Sequence, residues 1–380
     1  MKLNLLKQQL LLLPVTLLST MLSLGCGPLP AQSSDYPVSA QTQAVASQTT
    51  SAPAQVERRD FFVTSDPGIQ IAVREVQSVN ALNASRPPLL LIHGGGPGGV
   101  ASFDLDVPGY SLAAEFAQAG HPVYVLNIRG WENSTRPDAL NQPPESNPPA
   151  VTSDEAVRDI GAVVDAIQQR HQGEPVALVG WATGGHWAGM YTSQNNQKVS
   201  YLVMLNSLYG VNASWELRSS FEDPNNPGRF NSSGGAYRLN NAEGLLAQWS
   251  RTIPVEDKSQ GRDPRVAERY QQMALASDPT SETRSPASMR IPAAYRLESY
   301  NLSKGQKYWE AENITVPTLV MRGELDFWSR PEDLQALEAE LTNASQVKAV
   351  TIPGGTHYLF IDRPERGRDR FIQEVLSFVK

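Results

Sequence analysis

The sequence predicts an α/β architecture, a mainly parallel sheet with helices on both faces and an inserted, mostly helical cap. Three observations predict it. Short, continuous apolar runs closed by glycine or polar residues recur along the chain, as expected of strands buried on both faces. Segments with helical spacing separate them, and strand alternating with helix implies parallel strands joined by crossovers. One long stretch then breaks the rhythm before it resumes.

The elements follow in order. Residues 61–63 and 69–73 read as antiparallel strands around the turn Asp66-Pro67-Gly68. Residues 89–92 form the first run buried on both faces, and 123–128, 176–179 and 201–205 repeat its signature. Helical spacing occupies 110–119, 154–169 and 185–193 between them. From 211 to 312 the rhythm fails, with Pro224, Pro227, a Ser-Ser-Gly-Gly stretch at 232–235 and helix-like pieces around Trp249 and 265–275, which reads as the cap. It resumes with a strand at 318–321, a helix at 331–341, a strand at 347–352 and a closing helix at 369–378. The core therefore comes in two parts, 59–210 and 313–380. No internal repeat is present.

Composition narrows the function. The 380 residues carry 32 basic and 39 acidic side chains, a net charge of −7, with no long basic run, which excludes nucleic acid as the expected partner. A single cysteine permits neither an internal disulfide nor a cage of several thiolates around a metal. Packing must hold the fold.

The first 25 residues read as a signal peptide. Lys2 and Lys7 precede an apolar stretch at 10–24, interrupted by Pro14. That is short of the roughly twenty residues a membrane-spanning helix needs. The stretch ends in Leu22-Ser23-Leu24-Gly25-Cys26 and resembles a bacterial lipoprotein signal, in which Cys26 becomes the lipidated first residue, although Ser23 stands where leucine is usual. An ordinary cleaved signal cut near Ala31 is the alternative. Both imply export; the first implies a membrane partner through a lipid anchor at the bacterial cell envelope. Firm anchoring would need several acyl chains, since one binds only marginally. Residues 26–58 read as a disordered tether, because 27–55 are rich in proline, serine, threonine, glutamine and alanine, with Asp35 their one acid.

After the strand at 89–92 comes His93-Gly94-Gly95-Gly96-Pro97-Gly98-Gly99. Gly94, Gly96 and Gly99 satisfy G-x-G-x-x-G, but a dinucleotide site also needs an acid at the tip of the next strand, and Asn127-Ile128-Arg129 stands there. The other meaning is an oxyanion loop, whose glycines let the backbone approach a substrate and aim amide hydrogens at a developing negative oxygen. Gly95 is the candidate donor. No organic cofactor and no metal is expected.

The order of these motifs resembles the α/β-hydrolase fold family, over roughly residues 60–215 and 311–380. The loop at 93–99 is similar to the His-Gly-Gly-Pro-Gly loop of the proline iminopeptidase branch. Asn127-Ile128-Arg129-Gly130-Trp131-Glu132-Asn133-Ser134 resembles that branch's D-x-R-G-x-G-x-S, with Asn127 and Glu132 replacing the acid and second glycine. Gly180-Trp181-Ala182-Thr183-Gly184 is similar to the nucleophile elbow, Gly323-Glu324-Leu325-Asp326 to the acid site, and Gly355-Thr356-His357 to the histidine site. The resemblance implies Asp326 and His357 as catalytic partners, with Gly95 and Thr183 supplying the oxyanion amides. The departure is central: Ala182 occupies the nucleophile position. A methyl group cannot form an acyl intermediate. Thr183 is no substitute, since centring the turn there would put Trp181 where a small residue is required.

Trp181 and Trp328 adjoin the implied site and are candidates for substrate binding. His93 reads as a structural loop histidine and His186 as a packing residue; Asp326 and His357 could also be relics that satisfy one another. The iminopeptidase-like loop implies short peptides with a free amino end, and Glu216, Glu222 and Glu243 are candidates to meet the amine. Two functions stay open: an exported serine-hydrolase-type enzyme acting on a peptide, amide or ester and impaired by Ala182, or a lipid-anchored pseudoenzyme that binds a small molecule or peptide. Oligomeric state is not legible in the sequence.

Overall fold

A computed structural model describes residues 55–79 and 86–380. The apolar segment, Cys26 and the tether as far as residue 54 lie outside the described residues. Strands β1 (Val56–Thr64) and β2 (Gln70–Ser78) form the antiparallel pair. β1 starts ahead of the expected boundary at 59, because Glu57 and Arg58 continue the ladder opposite Gln77 and Val76 and Arg58 closes on Asp104 at 2.8 Å. There follow β3 (Leu89–Ile92), helices α1 (Gly99–Phe103) and α2 (Leu112–Gln118), β4 (Val123–Leu126), α3 (Ser153–Arg170), β5 (Val176–Trp181), α4 (Thr183–Gln194) and β6 (Val199–Leu205). Every residue of β3, β4 and β5 is buried, which is why their sequences are continuous apolar runs rather than alternating ones. Thr152 and Glu155 close a capping box at the start of α3.

Between β6 and the next strand of the main sheet, the chain forms α5 (Arg218–Phe221), β7 (Glu222–Asp223), β8 (Asn226–Phe230), β9 (Tyr237–Asn241), α6 (Ala242–Thr252), α7 (Pro264–Ala276), β10 (Ser288–Pro292) and α8 (Ala294–Ser303). β7 pairs with β8 and β9 with β10, so this stretch carries two small antiparallel sheets besides its helices. The sequence reading missed both. β11 (Thr318–Gly323), α9 (Pro331–Glu340), β12 (Val347–Ile352) and α10 (Arg368–Phe378) complete the chain.

The main sheet has eight strands in the order β1-β2-β4-β3-β5-β6-β11-β12, parallel from β4 to β12 with β1 and β2 as an antiparallel edge. This order places the ends of β3, β5, β6, β11 and β12 side by side. α6 is pinned toward them: Trp249, fully buried, donates its indole hydrogen to Asp362 at 2.7 Å, and Asp362 also accepts from the Thr356 amide at 2.8 Å. Burying even a smaller apolar side chain such as leucine stabilises by about 1.5–3 kcal/mol. Among the described residues, no helix is long and apolar enough to cross a membrane.

Candidate active site

β5 ends at Trp181, α4 begins at Thr183, and Ala182 between them has φ 53° and ψ −118°. A non-glycine residue in this region costs on the order of 1–3 kcal/mol and persists only where its surroundings impose it. Here they do. The Ala182 amide donates to the Leu205 carbonyl at 2.8 Å, and the Ser207 hydroxyl donates to the Ala182 carbonyl at 2.8 Å. The flanking glycines are required by space: a Cβ on Gly180 would lie 2.4 Å from the Gly184 carbonyl oxygen, and one on Gly184 would lie 2.3 Å from that of Ile92. This is the sharp strand-to-helix turn that the small residues predict.

Asp326 follows β11 and His357 follows β12. His357 Nδ1 lies 2.7 Å from Asp326 Oδ1, which fixes the tautomer with the hydrogen on Nδ1. Asp326 Oδ1 also accepts from the Trp328 amide at 3.0 Å, and Oδ2 accepts from the Ser329 amide at 2.8 Å and from the Ser329 hydroxyl. Trp181 Nε1 donates to the His357 carbonyl at 2.9 Å. Asn206, buried at the end of β6, is a positioning residue that sequence reasoning missed. Its amide nitrogen donates to the Thr356 and His357 carbonyls at 3.2 and 3.1 Å, while its oxygen accepts from the Gly323 amide at 2.8 Å. One side chain thus joins the acid-bearing strand to the histidine loop.

The glycine loop is held from below. His93 Nδ1 donates to the Gly94 carbonyl at 2.8 Å and Nε2 accepts from the Ile128 amide at 3.1 Å, so the ring is neutral, and burial pushes its pKa down to about 4. Trp131 Nε1 donates to the Gly96 carbonyl at 2.7 Å. The two departures from the resembled motif serve the same loop: Asn127 Oδ1 accepts from the Gly99 amide at 2.6 Å, and Glu132 Oε1 accepts from the Ala101 amide at 3.0 Å. Burial raises the Glu132 pKa to about 7. A Cβ on Gly95 would lie 2.5 Å from the Tyr295 ring, so only glycine fits beneath that residue.

These parts meet at a cleft of ≈ 270 Å³ lined by Gly95, Ala182, Thr183, His357, Trp181 and Trp328 among others, with Asp326 behind His357. Neither Glu216, Glu222 nor Glu243 lines it. Glu216 lies 3.7 Å from Arg251, Glu222 accepts from the Tyr300 hydroxyl at 3.1 Å, and Glu243 is exposed in the first turn of α6. The expectation of a cap glutamate facing the ligand is therefore corrected. The charged residues that region brings to the cleft are Arg238 and Arg296, for which no periodic signal exists in the sequence. His186 packs away from the cleft and accepts from Trp309 Nε1 at 3.1 Å; burial lowers its pKa to about 3. Among the described residues, no group of three or more histidine, cysteine, aspartate or glutamate side chains could hold a metal ion.

A parallel sheet with a strained elbow after β5, an acid after β11 and a histidine after the last strand has the layout of elbow-type hydrolases. The sequence profile of the alpha/beta hydrolase fold matches residues 87–364, and the chain belongs to that family. No curated protein matches the chain. Solved structures similar to it include a thioesterase domain from the curacin biosynthetic pathway, 16% identical with a TM-score of 0.52, covering 85% of this chain and 99% of that one. A thermophilic esterase from Thermogutta terrifontis is 16% identical with a TM-score of 0.53, covering 85% and 100%. Est816, described as an N-acyl homoserine lactone degrading enzyme, is 16% identical with a TM-score of 0.54, covering 84% and 100%. At this identity the likeness concerns the fold.

Proposed function

We propose that the cleft is the acyl-binding site of a serine-hydrolase-type protein whose nucleophile position is filled by Ala182, so that the chain as written binds a carboxylic ester or amide without forming an acyl-enzyme. The observation that carries this reading is the His357–Asp326 pair at 2.7 Å, whose histidine lines the same cleft as Ala182. With serine at position 182, the hydroxyl oxygen would attack the acyl carbon while His357 Nε2 takes its proton. The oxyanion would be held by the Gly95 and Thr183 amides. Collapse would break the acyl bond and return the proton to the leaving alcohol or amine, and water would then release the acid by the same steps. With alanine, the attacking atom is missing; removing the serine of a serine protease lowers turnover about a million-fold. The names of the structural neighbours, esterase and thioesterase, support an acyl substrate. The likeness to the proline iminopeptidase branch rests on the glycine loop and the segment at 127–134, whereas a lining without a carboxylate favours a ligand without a free amine.

Ala182→Ser is the test. We expect covalent labelling by a fluorophosphonate probe and hydrolysis of 4-nitrophenyl esters, both lost again when His357→Ala is added. A folded Ala182→Ser variant that neither labels nor hydrolyses would reject this reading in favour of a second one, a native binding protein, which the Ala182 methyl itself favours. Export and lipidation at Cys26 belong to the same proposal, on the support of the sequence alone. Metabolic labelling with palmitate that persists in Cys26→Ala would refute the anchor.

A further inference from the structure

We propose that the cleft takes an acyl compound carrying a carboxylate remote from the acyl carbon, gripped by Arg238 and Arg296. The inference rests on the reading of the cleft as an acyl-ligand site and names its substrate class.

The lining holds both arginines and no aspartate or glutamate. The fully buried arginines Arg129, Arg290, Arg330 and Arg368 each close on a carboxylate, at 2.6, 2.7, 2.7 and 2.6 Å, whereas the two half-buried arginines of the cleft do not. Arg238 makes no ion pair among the described residues; its Nε donates to the Tyr295 hydroxyl at 2.7 Å and its Nη2 approaches the Gly95 carbonyl at 3.4 Å. The guanidinium is thereby set beside the glycine loop. The Arg296 side chain makes neither an ion pair nor a hydrogen bond among the described residues, and its guanidinium carbon lies 4.6 Å from the centroid of the Phe221 ring. Burial pulls its pKa below the ordinary value, as expected of a partly desolvated cation without an acid beside it.

An independent feature points to a polar ligand in the same place. Thr183 Oγ1, Trp328 Nε1 and Gln248 Oε1 are buried atoms of residues that line the cleft, and they have no hydrogen-bond partner among the described residues. Thr183 is 5% and Trp328 8% exposed. Buried polar atoms normally have partners, and a ligand would supply them. A planar guanidinium matches a carboxylate in a two-point contact, and such charge-assisted bonds are the strong ones. The anion therefore lies toward the arginines, and the acyl carbon toward Ala182 and His357.

The test has a binding arm that needs no catalysis. Monomethyl glutarate and its neutral counterpart dimethyl glutarate are titrated against the unmodified protein by calorimetry, and we expect the anion to bind about tenfold or more tightly. Arg296→Gln and Arg238→Gln should each collapse that ratio, and Arg296→Lys should restore part of it. Equal affinity for the two probes in the unmodified protein overturns the proposal without recourse to any variant. A catalytic arm compares 4-nitrophenyl hemiglutarate with 4-nitrophenyl butyrate on Ala182→Ser. Hydrolysis of both at equal kcat/KM overturns the anion preference and keeps the hydrolase reading. Absence of hydrolysis with the binding ratio intact overturns the hydrolase reading and supports the carboxylate grip.

Discussion

At the position of Gly184, a methyl group would press 2.3 Å from one strand carbonyl and 2.4 Å from the next, both backbone atoms that cannot swing aside. Gly184→Ala should therefore destabilise the protein by about 2 kcal/mol or more, read as a lower Tm in thermal unfolding. Ala182→Ser should behave differently. It adds one oxygen at a residue that already lines the cleft, leaves the backbone untouched, and should change stability by less than about 1 kcal/mol in the same measurement. A large loss there would mean that the elbow has no space for a hydroxyl, which would also weaken the functional reading. The elbow glycines were legible in the sequence because tight turns restrict residue type. Asn206 was not, because a lone asparagine after an apolar strand carries no signal of which distant carbonyls it will meet.

Helices α3, α4 and α8 share a buried polar clamp. The Ser153 amide and hydroxyl donate to Glu298 at 2.8 and 2.7 Å, and Trp187 Nε1 donates to the Ser153 hydroxyl at 3.1 Å. Burial raises the Glu298 pKa from 4.5 to about 7 despite those donors. A carboxyl raised in the folded state stabilises fully below its unfolded pKa, and the contribution is lost as pH climbs through the folded value. Glu298→Gln, which stays neutral, should thus match the parent near about pH 5 and exceed it in stability by on the order of 1–3 kcal/mol at about pH 8. Melting curves at both pH values check this; a difference that does not grow with pH would show that the carboxyl is already ionised at low pH. At this scale the main-sheet strands and long helices were readable, since burial on both faces and helical spacing leave periodic traces. β9 and β10 were not: they are short, far apart in sequence, and β9 is polar, so their pairing is decided by tertiary contacts. Arg238 and Arg296 went unread with them, because β9 and the start of α8 aim them at the cleft.

Across the whole molecule, one buried acid ties the stretch between β6 and β11 to the first half of the core. Asp278 lies 2.7 Å from both Arg290 and Arg284, and Arg290 also donates to the Leu140 carbonyl at 2.8 Å. Burial acts to raise its pKa, but the hydrogen bonds from Arg290 and Thr280 prevail and hold the carboxyl well below its usual range. Its stabilisation is present above the unfolded pKa and lost only as pH falls through the lower folded value. Asp278→Ala would leave Arg290 buried and uncompensated, and should cost about 3–5 kcal/mol. Because β10 leads directly into Tyr295 and Arg296, the same change should weaken ligand binding in the cleft, measurable by calorimetry at a temperature where the variant remains folded.

The bend at Ala182 is enforced by its neighbours, Leu205 and Ser207 among them, and owes nothing to its own side chain. Alanine and serine codons can differ by a single base, so one point mutation would present a hydroxyl at this bend without any change in the contacts that impose it.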